Sequence, residues 1–378
     1  MVAAPYQVYV LTHSSFAVGA LSLVQLVPIV LAGLYGGLLA DRFDRRLVQI
    51  SGKTVCAACS IGLAAGAAGM RAPVVFVYVV ASIAAAAFAV EQAARSATIP
   101  RLVAPELLPS ALSLTQMTYQ AAMVAGPAFA GFVIATAGLA RTYTLDVLTW
   151  VPVVVLLKLI SPQPSLADGG VTFELGAPMH ALRFVRGNRL LIALFAADLI
   201  AMTFGMPTAV FPALALSVFA YGPGVLGLLY AGPAAGALIA SVLSGWVTHV
   251  EHQGRAVLWA IAVWGAAIAG FGLAGRLLWV GLPLLAVAGG ADLVSTIFRG
   301  TILQLAISDA IRGRMSAFHS MVASMGPRLG DLEAGAVAAL VNPTFSVVSG
   351  GVACVAGIAL VAALLPEIRR QGTNVGPV

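Results

Sequence analysis

The chain has 378 residues, of which 60% are hydrophobic and 9% charged, with a net charge of +6 at pH 7. A typical soluble domain carries about 25% charged residues, so this composition excludes an ordinary soluble globular protein. Apolar runs of about 20 residues, each the length of one bilayer span, recur along the whole sequence. They have to be helical, because each span must satisfy its own backbone. Segments of about ten residues with period-two alternation, the mark of a β-barrel, do not occur.

In chain order, Met1 to Leu11 is apolar but only about half a span, and His13, Ser14 and Ser15 form a short polar loop after it. Helix 2 is predicted from about Phe16 to Leu39 and helix 3 from about Leu47 to Met70. Between them lies GGLLADRFDRR, Gly36 to Arg46, the densest knot of charge in the chain: Asp41, Arg42, Asp44, Arg45 and Arg46. Its arginines anchor a loop on the cytoplasmic side, and Gly36 and Gly37 allow close helix approach. Arg71-Ala72-Pro73 turns the chain, and helix 4 follows to about Pro100, carrying Glu91 and Arg95. Pro105 and Pro109 break the chain before helix 5, which runs to about Ala137 with Gly126, Pro127 and Gly131 inside it. Helix 6 opens at Arg141 and ends near Leu159.

Ser161 to Asn188 is the long polar stretch, read as a cytoplasmic linker with an amphipathic segment, His180 to Phe184, lying on the membrane surface. Helix 7 is predicted from about Leu190 to Val218, with Asp198, Pro207 and Pro212; helix 8 from about Gly224 to Val247; helix 9 from about Ala256 to Leu273; and helix 10 from about Leu277 to Ile307. Helix 11 is predicted from near Arg314 to Val341, and helix 12 ends near Leu365, before a polar tail. With the loop after helix 2 in the cytoplasm, Arg42, Arg45, Arg46, Lys53, Arg101, Lys158, Arg183, Arg186, Arg189, Arg255, Arg312, Arg314, Arg369 and Arg370 all fall at cytoplasmic ends, as the positive-inside rule asks. That explains the net positive charge without a nucleic-acid partner, for which no aromatic-basic platform exists.

The two halves read as copies. Gly126-Pro127 recurs as Gly326-Pro327, and Gly19 and Gly37 find counterparts in Gly227 and Gly245. Parallel repeats of six helices are a transporter architecture. Aligned on Gly19 and Gly227, Met1 falls near Thr208, late in helix 7, so the first half is expected to lack most of helix 1 and the chain to hold 11 full spans. The expected organisation is an N-terminal helical half, 1–160, a linker, 161–187, a six-helix C-terminal half, 188–366, and a cytoplasmic tail, 367–378.

Charges inside spans cost roughly 3 kcal/mol each on insertion scales, which singles out Glu91, Arg95, Asp198, Asp292, Arg299, Arg328, Asp331 and Glu333. Glu91 and Arg95 share a helix face and form either a self-neutralising pair or a proton-exchanging carboxylate. Asp292 follows Ala288-Gly289-Gly290-Ala291 near mid-span and is either a proton or cation site or a buried hydrogen-bonding group; Arg299, nearer the helix end, has room to snorkel. Cys56 and Cys59 form C-x-x-C inside a span without a basic flank or a second pair, which marks helix packing and not metal or redox chemistry. No metal site and no cofactor are expected. No H-E-x-x-H, G-x-S-x-G or phosphate loop is present, so the chain is not read as an enzyme and cannot itself use ATP.

Gly37, Asp41, Arg42, Arg45 and Arg46 resemble the signature loop between helices 2 and 3 of the major facilitator superfamily of secondary transporters. Asp44, where that pattern usually has Gly, resembles the enterobactin exporter and macrolide efflux branch, as do Pro5 to Leu21 and Ile311 to Gly335. The resemblance implies an all-α polytopic fold of two six-helix halves. It implies alternating access, a cavity lined by helices 1, 4, 7 and 10, and a conformational lock in which Asp41 meets the start of helix 11 and the arginines bridge helices. Arg328, Asp331 and Glu333 match its late motif, with a structural role in pairing across the bundle, and Gly126, Pro127 and Gly131 resemble the remains of an antiporter motif. The implied function is proton-coupled export of a small drug- or siderophore-like molecule by a monomer in the bacterial inner membrane, with the C-terminus cytoplasmic. The alternative reading is a non-transporting truncated remnant or a partner-binding membrane subunit.

Overall fold

The structure is a computed structural model that describes residues 2–69, 72–163, 177–220, 222–307 and 311–371. Among the described residues it is helical, without strands. The helices are α1 (Ala3–Thr12), α2 (Ser15–Arg42), α3 (Arg45–Ala67), α4 (Val74–Leu102), α5 (Leu108–Leu159), α6 (Ala177–Gly187) and α7 (Arg189–Phe204). They continue as α8 (Pro223–Val242), α9 (Gln253–Leu273), α10 (Leu278–Ala306), α11 (Arg312–Leu340), α12 (Pro343–Leu364) and the short α13 (Glu367–Arg370). Nine segments among the described residues are long and apolar enough to cross a membrane. The longest, Pro105–Leu159, contains Gly138 at φ 80°, ψ 172°, which divides two helices. That backbone region is open to glycine and costly for any residue with a Cβ, so the predicted separation of helices 5 and 6 falls on a single residue. α11, which carries Arg328, Asp331 and Glu333, is not among the nine.

The chain divides into two compact units. The first holds Met1–His13 and Leu21–Phe173. In it α3 lies against both α4 and α5. The α3–α4 seam is close because Gly52 lacks a side chain; a Cβ there would stand 3.0 Å from that of Glu91 and 3.1 Å from the Ala87 carbonyl oxygen. A Cβ on Gly36 of α2 would come 3.1 Å from Val90 Cα of α4. The half-span at the N-terminus is helical as α1, and the buried Tyr143 hydroxyl donates to Gln7 Oε1 at 2.8 Å, tying α5 to it.

The second unit holds Ser14–Ala20 and Glu174–Val378. α9 packs on α10 and α12, α10 on α8, and α11 on α7. Small residues set these distances, as membrane packing favours. Gly236 faces the Ala286 carbonyl and Gly289 the Pro233 carbonyl so closely that an added methyl would meet backbone. The first turns of α2 belong to this unit, with Gly19 against the Asp331 carbonyl and Gly335 against that of Ser15. α13 is held by an Arg189–Glu367 ion pair at 3.2 Å and by Arg255 Nε donating to the Arg369 carbonyl at 3.3 Å.

Three boundaries differ from the sequence expectation. Helix 7 is not continuous to Val218: α7 stops at Phe204, Gly205 to Pro207 is non-helical, and Thr208–Val210, Phe211–Ala213 and Leu214–Val218 follow as 3-10, α and π turns. Pro207 and Pro212 lack the N–H a continuous helix needs. Helix 8 ends at Val242 and gives way to a 3-10 stretch, Ser244–His249. The amphipathic segment extends to Ala177–Gly187, with Val185 buried; 164–176 of the linker and 372–378 of the tail lie outside the described residues. Replacing Gly138 by Ala forces a Cβ into its positive-φ backbone and should cost about 1–3 kcal/mol. The melting midpoint of the detergent-purified protein should fall; an unchanged midpoint would refute the assignment of the turn to that glycine.

Candidate functional site

The break after α7 organises the second unit's polar groups. α7 is apolar throughout except for Asp198 and Thr203 beyond its first residue, and it starts at the Asn188 N-cap, whose side chain accepts from Leu190 N at 2.9 Å and Leu191 N at 3.3 Å. Its end leaves backbone groups that apolar surroundings cannot satisfy, and side chains from three other helices take them. Trp264 Nε1 of α9 donates to the Gly205 carbonyl at 2.8 Å. Asp331 of α11 accepts from Ala209 N at 2.9 Å and from the Thr208 hydroxyl. The Tyr230 hydroxyl of α8 donates to the Thr208 carbonyl at 3.2 Å. Asp331 therefore serves the broken backbone, while Arg328 turns back to the Ser324 carbonyl of its own helix at 2.6 Å. Asp331 of α11 thus bonds to the segment that follows α7, capping a helix break. Glu333 is half-buried on the same helix.

Next to the break lies a charged set. Arg299 of α10 is hydrogen-bonded to Asp198 of α7 in a fully buried ion pair. Its second terminal nitrogen donates to Thr296 Oγ1 at 3.1 Å and stands 4.0 Å from Asp292 Oδ1. Thr296 also donates to Asp292 at 3.3 Å. Arg299 does not snorkel; its side chain is 7% exposed and its charge is spent inside the unit. One guanidinium thus faces two carboxylates. A small cavity at the break is lined by Gly205, Pro207, Phe211, Trp264, Gly289 and Asp292, so Asp292 is the member of the set that reaches it.

In the first unit, Glu91 does not pair with Arg95. It forms an ion pair with Lys53 Nζ of α3 at 3.0 Å, and its side chain is 2% exposed. Arg95, one turn on, is half-buried. Lys53 is a half-buried ion-pair partner, 13% exposed, with Nζ 4.9 Å from the Trp150 ring and 5.7 Å from that of Phe88. The glycine seam at Gly52 brings α3 near enough for this pair to close. The sequence reading missed Lys53 and also Asp146, which accepts from the Ser60 hydroxyl at 2.5 Å and from Trp150 Nε1 at 3.1 Å. The signal for both was the rule that an ionisable residue within a span needs a reason.

The signature-loop residues sit where α2 meets α3. Gly37 and Asp41 are on α2, and the Asp41 side chain lies outside the described set; Arg42 is exposed. Asp44 is the N-cap of α3, accepting from Arg46 N at 2.8 Å and from Gln163 N at 3.2 Å. Arg45 donates to the Ala97 carbonyl of α4 at 2.7 Å, and Arg46 to the Lys158 carbonyl at the end of α5 at 2.9 Å. Pro127 and Gly131 are buried within α5, Gly126 has open space around it, and Gly326-Pro327 lies within α11 with Gly326 against Met202 of α7.

Apolar spans, a helix broken at an ion-paired polar centre and close small-residue seams define a polytopic membrane transporter. The chain belongs to the Transmembrane secretion effector family of the major facilitator superfamily, whose model matches residues 1–374. It is 29% identical over 376 residues to the enterobactin exporter EntS of Citrobacter koseri, covering 98% of this chain and 88% of that one, and 29% identical over 378 residues to the EntS of Salmonella typhi. Among solved structures the fold matches a D-xylose–proton symporter (TM-score 0.72, 15% identity, 98% and 93% of the two chains). It also matches a bacterial homologue of the iron transporter ferroportin in an inward-facing state (TM-score 0.68, 16% identity, 97% and 93%). The chain is a multi-pass secondary transporter of small molecules and not an enzyme.

Asp198→Asn leaves Arg299 without its hydrogen-bonded counter-ion and should destabilise the protein by about 3–5 kcal/mol. Adding Arg299→Gln should restore much of the loss in detergent melting. A double variant as unstable as the single one would show that the pair is not what holds these helices. Asp44→Ala should cost about 1 kcal/mol through the lost cap, read by the same measurement.

Proposed function

We propose that the chain exports a small organic molecule of siderophore-like or drug-like chemistry across the bacterial inner membrane, driven by inward proton flow, with its C-terminus in the cytoplasm. The observation that carries this reading is the charge count beside the α7 break: Arg299 serves both Asp198 and Asp292. A set of one cation and two carboxylates inside apolar helices is neutral only when it also binds a proton or another cation. A bare extra charge there costs about 3 kcal/mol on insertion scales. Asp292 is the carboxylate to exchange the proton, since Asp198 is bound directly to Arg299 while Asp292 stands 4.0 Å from it and lines the cavity. The 29% identity to enterobactin exporters supports export and a siderophore-like cargo. The roles of the loop follow the same reading. Arg45 and Arg46 tie α3 to α4 and α5, so the first unit rocks as one piece, and Asp41 with Arg42 forms the contact that alternates. The halves 1–160 and 188–366, joined by 161–187, are the bodies that rock, and the protein works as a monomer.

Enterobactin uptake into everted membrane vesicles with an acidic lumen tests this. Uptake by the wild-type protein should collapse with a protonophore. Asp292→Asn should lose the pH-driven component while retaining exchange of labelled for unlabelled enterobactin, a reaction without net proton movement. Full pH-driven uptake by Asp292→Asn, at wild-type protein levels, would sink the proton site. Failure of the wild-type protein to move enterobactin while it moves a macrolide would redirect the cargo from siderophore-like to drug-like.

A further inference from the structure

α11 carries a cation that neither the proton site nor the capped break uses. Arg328 lies about 24 Å from the first residue of α11 and about 18 Å from its last, at 1.5 Å of rise per residue. A hydrocarbon core is about 30 Å thick, so this position falls near mid-depth and away from the headgroup level. The packing marks the same depth. Gly326 stands against Met202, and Gly330 against the carbonyls of Met202 and Thr203, in the last turn of α7 before its break. Two residues from each of these glycines, Arg328 falls on the opposite side of α11.

The guanidinium of Arg328 is underused. Nη1 donates to the Ser324 carbonyl at 2.6 Å. Nε is buried without a hydrogen-bond partner, and Nη2 has none among the described residues. Arg328 also forms no ion pair among them. Asp331, one turn on, accepts from Ala209 N and the Thr208 hydroxyl. Glu333, five residues on, lies on another face of the helix. A cation in this state is costly to hold among apolar helices and calls for a partner. The free edge, Nε with Nη2, is suited to two oxygens side by side, because the rigid fork of an arginine matches a carboxylate.

The surroundings on α11 suit a small ligand. Met321, Met325 and Leu332 share the face of Arg328 at helical spacing, and all are half-buried. Thioethers are flexible and polarisable, and they adapt to ligands of differing outline. Ligand sites combine a few orienting polar groups with enclosing apolar ones. Discontinuous helices at mid-depth mark ligand sites in secondary transporters, and Arg328 is one turn from the carboxylate that caps such a break.

We propose that Arg328 recognises the cargo by its charge: its Nε–Nη2 edge takes the two oxygens of a carboxylate on the exported molecule, with Met321 and Met325 against the apolar part. The proposal rests on the export reading above and narrows the cargo to anionic molecules. Asp331 keeps the backbone groups it caps, so the anion reaches Arg328 without displacing an internal ion-pair partner.

Equilibrium dialysis of the full-length protein in detergent tests this with salicylate, an aromatic carboxylate, and salicylamide, its uncharged counterpart. The wild-type protein should hold salicylate at least about tenfold more tightly than salicylamide, the scale of a charge-assisted hydrogen bond. Arg328→Gln should erase the preference by weakening salicylate alone. Arg328→Lys should recover only part of it, since an ammonium group offers no planar fork. Wild-type protein that binds the two equally, or binds neither, overturns the proposal. So does Arg328→Gln with the ratio unchanged, the result a purely structural arginine would give. Should Arg328→Gln not fold, Arg328→Lys decides, and an undiminished preference there overturns the two-oxygen contact. The export reading fails in a different experiment, the vesicle uptake of enterobactin, which dialysis does not involve, so the two failures are distinguishable.

Discussion

The buried pairing of Asp198 with Arg299 is the interaction on which the second unit depends. Two charges have been taken out of water, and their attraction repays that cost only at close range with the remaining donors occupied. The contact is direct and Thr296 takes the second guanidinium nitrogen, while Arg299 Nε and Asp198 Oδ2 have no hydrogen-bond partner among the described residues. Holding that geometry fixes α7 against α10, six residues before α7 stops at Phe204. Were it to run on to Val218 as one helix, Thr208 and Ala209 would not present the donors that Asp331 accepts. The ion pair, the break and the capping carboxylate form one arrangement in which each part removes a cost created by another.

Small residues make that arrangement possible. In lipid no hydrophobic force draws helices together, so close backbone contact must supply the attraction. Gly236, Gly289 and Gly52 sit where a methyl group would strike a neighbouring carbonyl or side chain. The consequence is chemical as well as mechanical: the seam at Gly52 brings Lys53 to Glu91, and the seams at Gly236 and Gly289 bring α8 and α10 together beside Asp292. Proline lies inside α5, α8, α10 and α11 in the same setting.

The two units solve one electrostatic problem twice with different parts. An arginine on α10 serves aspartates on α7 and α10, and a lysine on α3 serves a glutamate on α4 beside an aspartate on α5. In the first a planar fork reaches two partners at once; in the second a point charge pairs with one carboxylate beside an aromatic face.

The sequence by itself determined the class. Its apolar runs fixed helical spans, the loop from Gly36 to Arg46 and the repeated Gly-Pro steps marked the superfamily, and intramembrane charge pointed to Glu91, Asp198, Asp292 and Arg299. These features are local, since a span, a loop motif and a charge within an apolar run can be read without knowing a neighbour. Which charge meets which was decided by tertiary structure alone. Glu91 was expected to face Arg95 because both lie on one helix face; it faces Lys53 because Gly52 admits α3 to within contact. Arg299 was free to snorkel in the sequence and is held by an aspartate on another helix. Asp331 was read as pairing across the bundle, and the group it caps there, the broken backbone of a distant segment, is one no spacing announces. Helix pattern repeats every few residues along the chain, whereas an ion pair forms across whatever helices the packing brings to within about 4 Å, and no spacing in the sequence encodes that distance.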